Sequence, residues 1–355
     1  MLTSLVSFRR SSAVLLSAVV VILCLFTDGT ASKKVRDGSD PSIMKVDDNY
    51  YGVPVSGSNV VVLEASSLEG LGDATENVVW SDDGKGEIWA PEISKDGDTT
   101  YIYFSAGTGS SHRMYAISAD SPLGTYPSET KLELPDDKWA IDGALFNFKD
   151  QRWFVWSGWA TDKNSEQDLY ICKMNSPTEP TGSRTIISQP REKWETGDKP
   201  AVNEGPEVIV DPDGQLHIVY SANGSWGDKY CIAELRLKKD GDPTKIWDWY
   251  KSNGCLFGSH QDRMMDGWSA TQSVDGPGHH TFALPNGDIN HSPSGDGNNS
   301  FMFHAVPKGT KYSWDARAWY TGNYVWQGNT TYSRKNSPGA GEDTGYSIKF
   351  FEADG

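Results

Sequence analysis

The chain is short of basic charge. Its 355 residues carry 32 Lys and Arg against 48 Asp and Glu, a formal net charge of −16. With no basic surface to neutralise phosphates, nucleic acid is excluded as a partner. Cysteine is scarce as well, with four in all. Cys24 falls in the N-terminal leader described below, which leaves Cys172, Cys231 and Cys255 and at most one internal disulfide. Cys231 and Cys255 are the nearest pair, but the sequence alone leaves the connectivity open. No Cys-x-x-Cys or clustered Cys/His spacing suggests zinc. The 36 glycines show no three-residue period and no heptad run appears, so neither collagen nor a coiled coil fits. Beyond Ser32 there is almost no helical periodicity, no Pro/Ser-rich linker and no later segment apolar enough to span a membrane.

Aromatic side chains are abundant: 14 Trp, 15 Tyr and 12 Phe. Such a chain can bury a large core and is not a disordered one. The tryptophan surplus suggests flat apolar platforms, for which sugar rings are one suitable ligand.

Residues 1–31 read as a secretory signal peptide. Arg9 and Arg10 precede an apolar run from Ala13 to Phe26, and Gly29-Thr30-Ala31 offers small residues for cleavage. The run is shorter than the ~20 residues a spanning helix needs, which favours cleavage over a membrane anchor. Asn-x-Ser/Thr sequons at Asn223, Asn298 and Asn329 agree with export and a glycoprotein. The expectation is a secreted, extracellular monomer with its working domain over residues 32–355.

Short runs rich in Val, Ile, Tyr, Phe and Trp alternate with Asp/Gly/Asn/Ser turns. Ser42–Val46, Thr100–Phe104, Arg152–Trp156 and Leu216–Tyr220 are predicted strands. Hairpin signals stand at Asp47-Asp48-Asn49, Lys95-Asp96-Gly97-Asp98 and Asp211-Pro212-Asp213-Gly214. A loose repeat then shows itself, in which an acidic or small-residue motif leads into a strand, a turn, and an aromatic strand ending in a Ser/Gly sequence. Trp89-Ala90-Pro91-Glu92-Ile93 leads to Tyr103-Phe104-Ser105-Ala106, and Ile141-Asp142-Gly143-Ala144 leads to Val155-Trp156-Ser157-Gly158. Asn203-Glu204-Gly205-Pro206-Glu207 leads to Val219-Tyr220-Ser221-Ala222. Looser copies begin at Ser39-Asp40-Pro41-Ser42 and at Gly276-Pro277-Gly278-His279-His280. Five units of about 50 to 75 residues fit the blades of a propeller, and an all-β five-bladed β-propeller is the expected fold. A β-sandwich would not set an acidic or His motif at one phase of successive units.

That phase would bring Asp40, Glu92, Asp142, Glu204 and His279 to one end of one axis. Crowded carboxylates repel and resist ionisation, and a protonated acid opposite an ionised carboxylate is what glycoside cleavage requires. Taken singly, an Asp or Glu before Gly or Pro more often caps a turn. The ordered set of motifs carries the signal.

In these motifs the sequence resembles glycoside hydrolase family 43, the five-bladed propeller arabinanases, arabinofuranosidases and xylosidases, from about Asp37 to about Trp326. The resemblance implies an inverting, metal-independent acid/base mechanism. It implies Asp40 as general base, Glu204 as general acid, and Asp142 as the third carboxylate that orients the acid and tunes its pKa. Trp89 is read as an aromatic wall for the sugar, with Trp159 and Trp226 as further platforms on loops. Arg317 matches the family Arg that reaches a sugar hydroxyl. His279 matches the hub His placed near a central ion or water cluster, so no cofactor is required but a structural calcium at the hub is left open. Glu87, Glu92 and Glu207 are assigned structural roles.

The stretches Trp-Ala-Ile-Asp-Gly, Val-Asn-Glu-Gly-Pro-Glu-Val and Tyr-Ser-Ala-Asn-Gly-Ser-Trp resemble the exo-acting α-1,5-L-arabinofuranosidase branch. The implied partners are arabinan or arabinoxylan-type glycans. The alternatives are a β-xylosidase or arabinoxylan debranching enzyme, and a non-catalytic sugar-binding propeller. His280 after Gly-Pro-Gly-His and the polar stretch Asn286–Asn299 depart from the family pattern.

Overall fold

The computed structural model describes residues 32–82, 84–290, 299–334 and 340–352. The proposed leader, residues 1–31, and the sequon at Asn298 lie outside the described residues. Each hairpin signal turns the chain between antiparallel strands. Ser42–Val46 forms with its predicted bounds and pairs with Asn49–Val53, Glu87–Asp96 pairs with Thr99–Gly107, and Ala201–Val210 pairs with Leu216–Ala222. The other predicted strands lie within Thr99–Gly107, Gln151–Gly158 and Leu216–Ala222. No α-helix occurs among the described residues; strands are joined by turns and short 3-10 segments.

The strands form four sheets. One leads with Ser42–Val46 and a second with Glu87–Asp96. An eight-stranded sheet consists of two antiparallel arrays, led by Ala140–Phe148 and Ala201–Val210. They join through only two parallel pairs, Glu166 with Ala201 and Gln167 with Val202. The last sheet leads with Val274–Phe282 and closes on Lys33–Asp37, which pairs with Ala318–Arg334 from the far end of the chain. The five leading strands touch in sequence, and the last, Val274–Phe282, touches the first, Ser42–Val46.

The core follows the same circuit. Met44, Ile88, Ile93 and Phe104 pack between the first two sheets. Tyr103, Leu145, Phe154 and Trp156 pack between the second sheet and the next array. Ile43, Leu63, Met302 and Trp319 pack between the first sheet and the last. Trp153 and Trp156 are buried, as their strand position predicts. Cys231 and Cys255 form a disulfide across a sequence separation of 24. Cys172 is buried, and burial pushes its thiol up to about 12.

Candidate active site

Each unit carries one residue with left-handed backbone at the same place: Asp40 (φ 49°), Ala90 (41°), Asp142 (55°), Gly205 (55°) and His279 (44°). In the last four the ladder with the next strand shifts register there. Such a bulge breaks the in/out alternation and re-aims side chains. At Gly205 a Cβ would also lie 3.2 Å from His279 Nδ1, so this left-handed position suits glycine twice over. The shift corrects the single phase expected from sequence. Ala90, not Glu92, is the counterpart of Asp40 and Asp142. Glu92 lies two residues further on, at the position of Ser42, Glu207 and Thr281 in the other units. There Glu92 hydrogen-bonds Ser42 and Glu207 and is pushed up to about 7, chiefly by burial. Glu207, which also bonds Thr281, is raised by burial and by Glu92.

Asp40, Asp142, Glu204 and His279 do come together. His279 Nδ1 lies 3.2 Å from Asp40 Oδ1 and 4.0 Å from Asp142 Oδ2. Asp142 Oδ2 accepts the Gly205 N–H at 3.0 Å, and Glu204 Oε1 accepts the Tyr230 hydroxyl at 2.9 Å. Arg317 Nη1 approaches Asp40 Oδ1 at 3.9 Å, while its Nε donates to Trp314 O. Asp142 and Glu204 are buried and Asp40 nearly so.

This setting drives the carboxyls apart. Burial by itself would raise Asp40, but His279, the hydrogen bond with His304 and the Arg317 charge outweigh it and hold Asp40 far below the ordinary carboxylate range. Burial also lowers both imidazoles, His304 to about 4. Near neutral pH both rings are therefore uncharged, and Arg317 is the standing positive charge beside Asp40. Asp142 is raised by burial, then by the charges of Glu204 and Asp40. Burial pushes Glu204 up to about 7 against the opposing hydrogen bond from Tyr230. One carboxylate is thus ionised beside two that resist ionisation.

Sequence motifs do not mark His304, Tyr230 or His112 as functional residues. His304 carries a signal: it stands near the end of the aromatic second strand of its unit, opposite the residue before the left-handed position, where other units have Ser105, Ser157 and Ser221. Ser157 Oγ donates to Asn203 O, and Ser221 Oγ accepts the His279 N–H. His304 Nδ1 likewise accepts the Asp40 N–H, at 3.1 Å. Each of these bonds ties one array to the next, the last to the first. Tyr230 carried no such signal; it stacks on His304 at 5.4 Å, linking the Glu204 and Asp40 sides.

Trp89 is half-buried, stacks on His112 at 3.8 Å and donates its indole N–H to Glu87. Glu87 thus holds the ring of the proposed wall. Trp226 is 36% exposed, one residue beyond Ser225, which hydrogen-bonds Glu204. Trp159 departs from expectation: it is buried and stacked on Trp139 at 4.6 Å, inside a cluster with Ile141. Two indoles bury more apolar surface against each other than one would on an open loop, so no exposed platform forms there.

A hub calcium would need six to eight oxygen ligands. The carboxylates beside His279 are Asp40 and Asp142, and Asp142 is already held by Gly205. Among the described residues no group of three or more His, Cys, Asp or Glu side chains could hold a metal ion.

An all-β circuit of sheets around one buried acid/base cluster suits hydrolysis by proton transfer, a class of chemistry that many proteins share. The chain belongs to glycosyl hydrolases family 43, whose sequence profile matches residues 35–312. It is 31% identical over 305 residues to the extracellular exo-alpha-(1->5)-L-arabinofuranosidase of Streptomyces avermitilis, covering 78% of this chain and 60% of that protein. It is 28% identical to alpha-L-arabinofuranosidase 43 of Humicola insolens, covering 69% of this chain and 51% of that one. The chain therefore spans between half and two thirds of the length of these relatives. In fold it is similar to the crystal structure of alpha-L-arabinofuranosidase from Lactobacillus brevis, with TM-score 0.69 and 22% identity, covering 84% of this chain and 93% of that one.

Proposed function

We propose that this protein is a secreted glycosidase that releases terminal α-L-arabinofuranosyl residues from arabinan or arabino-oligosaccharides with inversion. In this reading the five antiparallel arrays are the blades of one propeller, a reading supported by the circuit of contacts among their leading strands. Asp40, kept ionised, takes a proton from water as the water attacks the anomeric carbon. Glu204, kept protonated, gives its proton to the leaving oxygen. Asp142 orients Glu204 and sustains its raised pKa. Trp89 on His112 offers a wall for the sugar, and Arg317 reaches a hydroxyl. The observation that carries the reading is the opposed ionisation of Asp40 and Glu204 around one buried cluster. The choice of arabinose is supported by the names of the two relatives, and export by the leader-like residues 1–31.

The test compares wild type, Glu204→Gln and Asp40→Asn on aryl α-L-arabinofuranosides and aryl β-D-xylosides. Glu204→Gln is expected to lose about 10²–10⁴ in kcat/KM, less on an aryl group that departs without protonation. Asp40→Asn should lose at least as much on every leaving group. NMR of the first product should show the inverted anomer, and linear arabinan should yield arabinose alone. Full activity of Glu204→Gln on a poor leaving group would overturn the acid assignment. Preference for the xyloside would overturn the sugar, and inactivity on every glycoside would leave a binding protein.

A further inference from the structure

Of the three sequons, the fold can accommodate a sugar at one and refuses it at another. A glycan is bulky and hydrated, so the folded protein must leave its asparagine outside. Asn223 is fully buried, and its amide group donates to Trp194 O and Lys229 O, each at 3.0 Å. Its Oδ1 accepts the Gly197 N–H at 2.9 Å. A sugar on that nitrogen would break the bonds and need room in the core, which corrects the expectation that Asn223 is an acceptor.

Asn329 is the opposite case. It is exposed, with left-handed backbone (φ 55°), where the ladder between Ala318–Arg334 and Gly341–Glu352 shifts register between Gln327 and Thr330. Its neighbours are fixed: Arg236 donates to Thr330 O at 3.1 Å and Asn253 to Thr331 O at 3.0 Å. The Asn329 side chain is held by no hydrogen bond among the described residues. It borders a groove of about 460 Å³ that Asp266, Trp268, Gln327 and Lys349 also line. Trp268 donates its indole N–H to Ile348 O and packs partly on the core, and the Lys349 ammonium lies over its ring, 5.7 Å from the centroid. An aromatic ring beside acid, amide and amine groups suits a pyranose, whose C–H face packs on the ring where the flexible Lys349 chain moves aside and whose hydroxyls bond.

We propose that Asn329 is the acceptor of an N-linked glycan whose first sugars lie in this groove against Trp268. In the transfer, Asn329 Nδ2 attacks the anomeric carbon of a lipid-pyrophosphate-linked oligosaccharide. The N–C bond forms, and the C–O bond to the pyrophosphate breaks. The lipid pyrophosphate leaves with the electron pair, and the amide proton passes to a base of the transferase. The tether at the lip of the groove raises the local concentration of sugar far above that of any free glycan. The inference rests on the secretory route in the function proposed above.

The full chain with its own leader is expressed in a eukaryotic secretory host, and glycopeptides are mapped before and after amidase release of N-glycans. Asn329 is expected to be occupied and Asn223 bare. Asn329→Gln and Thr331→Ala should each lose one glycan, Thr331→Ser should keep it, and all three should keep arabinoside hydrolysis within about twofold. Trp268→Ala should speed native amidase release several-fold. Exported, active protein bare at Asn329 overturns the acceptor, and occupancy of Asn223 overturns its exclusion. An unchanged release rate in Trp268→Ala overturns the seating. Occupied Asn329 on a protein inert toward every glycoside would sink the enzymatic reading and leave this one standing. A chain retained in the cell and unmodified overturns both the export and the acceptor.

Discussion

At the scale of single residues, the site depends on what surrounds each carboxyl more than on the carboxyls themselves. Asp40, Asp142 and Glu204 are chemically near-equivalent, yet one is held low and two are pushed up. The three could be picked out of the sequence because each sits in a distinctive motif. Tyr230 could not, because its place beside Glu204 follows from packing on His304. Its hydroxyl favours the ionised form of Glu204, so Tyr230→Phe should raise that pKa further. The alkaline limb of kcat/KM should then move from near pH 7 to higher pH by about one unit, the size expected of one hydrogen bond to a charge. A pH–rate profile checks this; an unmoved or lowered limb would contradict the role of Tyr230.

At the scale of the element, the bulged leading strand is the working part. Reading its motif at one phase along the strand misplaced Glu92, because strict alternation fails across the left-handed residue. Close backbone approach also matters here. A Cβ on Gly278 would lie 2.1 Å from the Tyr230 ring. Gly278→Ala should therefore push Tyr230 away from Glu204 and lower stability by about 1–3 kcal/mol. Chemical denaturation and the pH profile of the same variant check both halves, and the profile should resemble that of Tyr230→Phe. The final hairpin, Ala318–Arg334 with Gly341–Glu352, was unassigned from sequence beyond Trp326. It is anchored by the buried Arg236, which donates to Asp343 and to the carbonyls of Thr330 and Tyr346. Asp343→Ala removes the carboxylate paired with this charge and should destabilise by about 3 kcal/mol, read from the unfolding midpoint.

At the scale of the whole molecule, the acids crowded where the leading strands meet make stability depend on pH. Glu92, Glu207, Asp142 and Glu204 all have folded pKa values raised above their unfolded ones. Their contribution is fully present below the unfolded values and is lost as pH rises through the folded ones, about 7 for Glu92 and Glu204, because the unfolded chain gives up those protons more readily. Asp40 works in the opposite sense: its depressed pKa supports the fold above the ordinary carboxylate range and is lost in acid. Tm should therefore be highest near pH 4 to 5 and fall from there to about pH 7, the span between the unfolded and folded values of Glu92 and Glu204. Glu207→Gln, which keeps the shape and removes one titrating acid, should flatten that fall; a Tm that rises through this range would contradict the account.

The sequence by itself determined the all-β character, the hairpin turns, the motifs of the three carboxyls and the apolar strands that carry tryptophan inward. These are local matters: alternation, turn chemistry and propensity act over a few neighbouring residues. Tertiary structure decided the pairing of Lys33–Asp37 with Ala318–Arg334, the burial of Trp159 and Asn223, and the layer on which Glu92 lies. It also decided the partners that separate Asp40 from Glu204 in charge. Those outcomes depend on which distant groups close on one another, and both desolvation and Coulomb interactions are set by distance in space rather than along the chain.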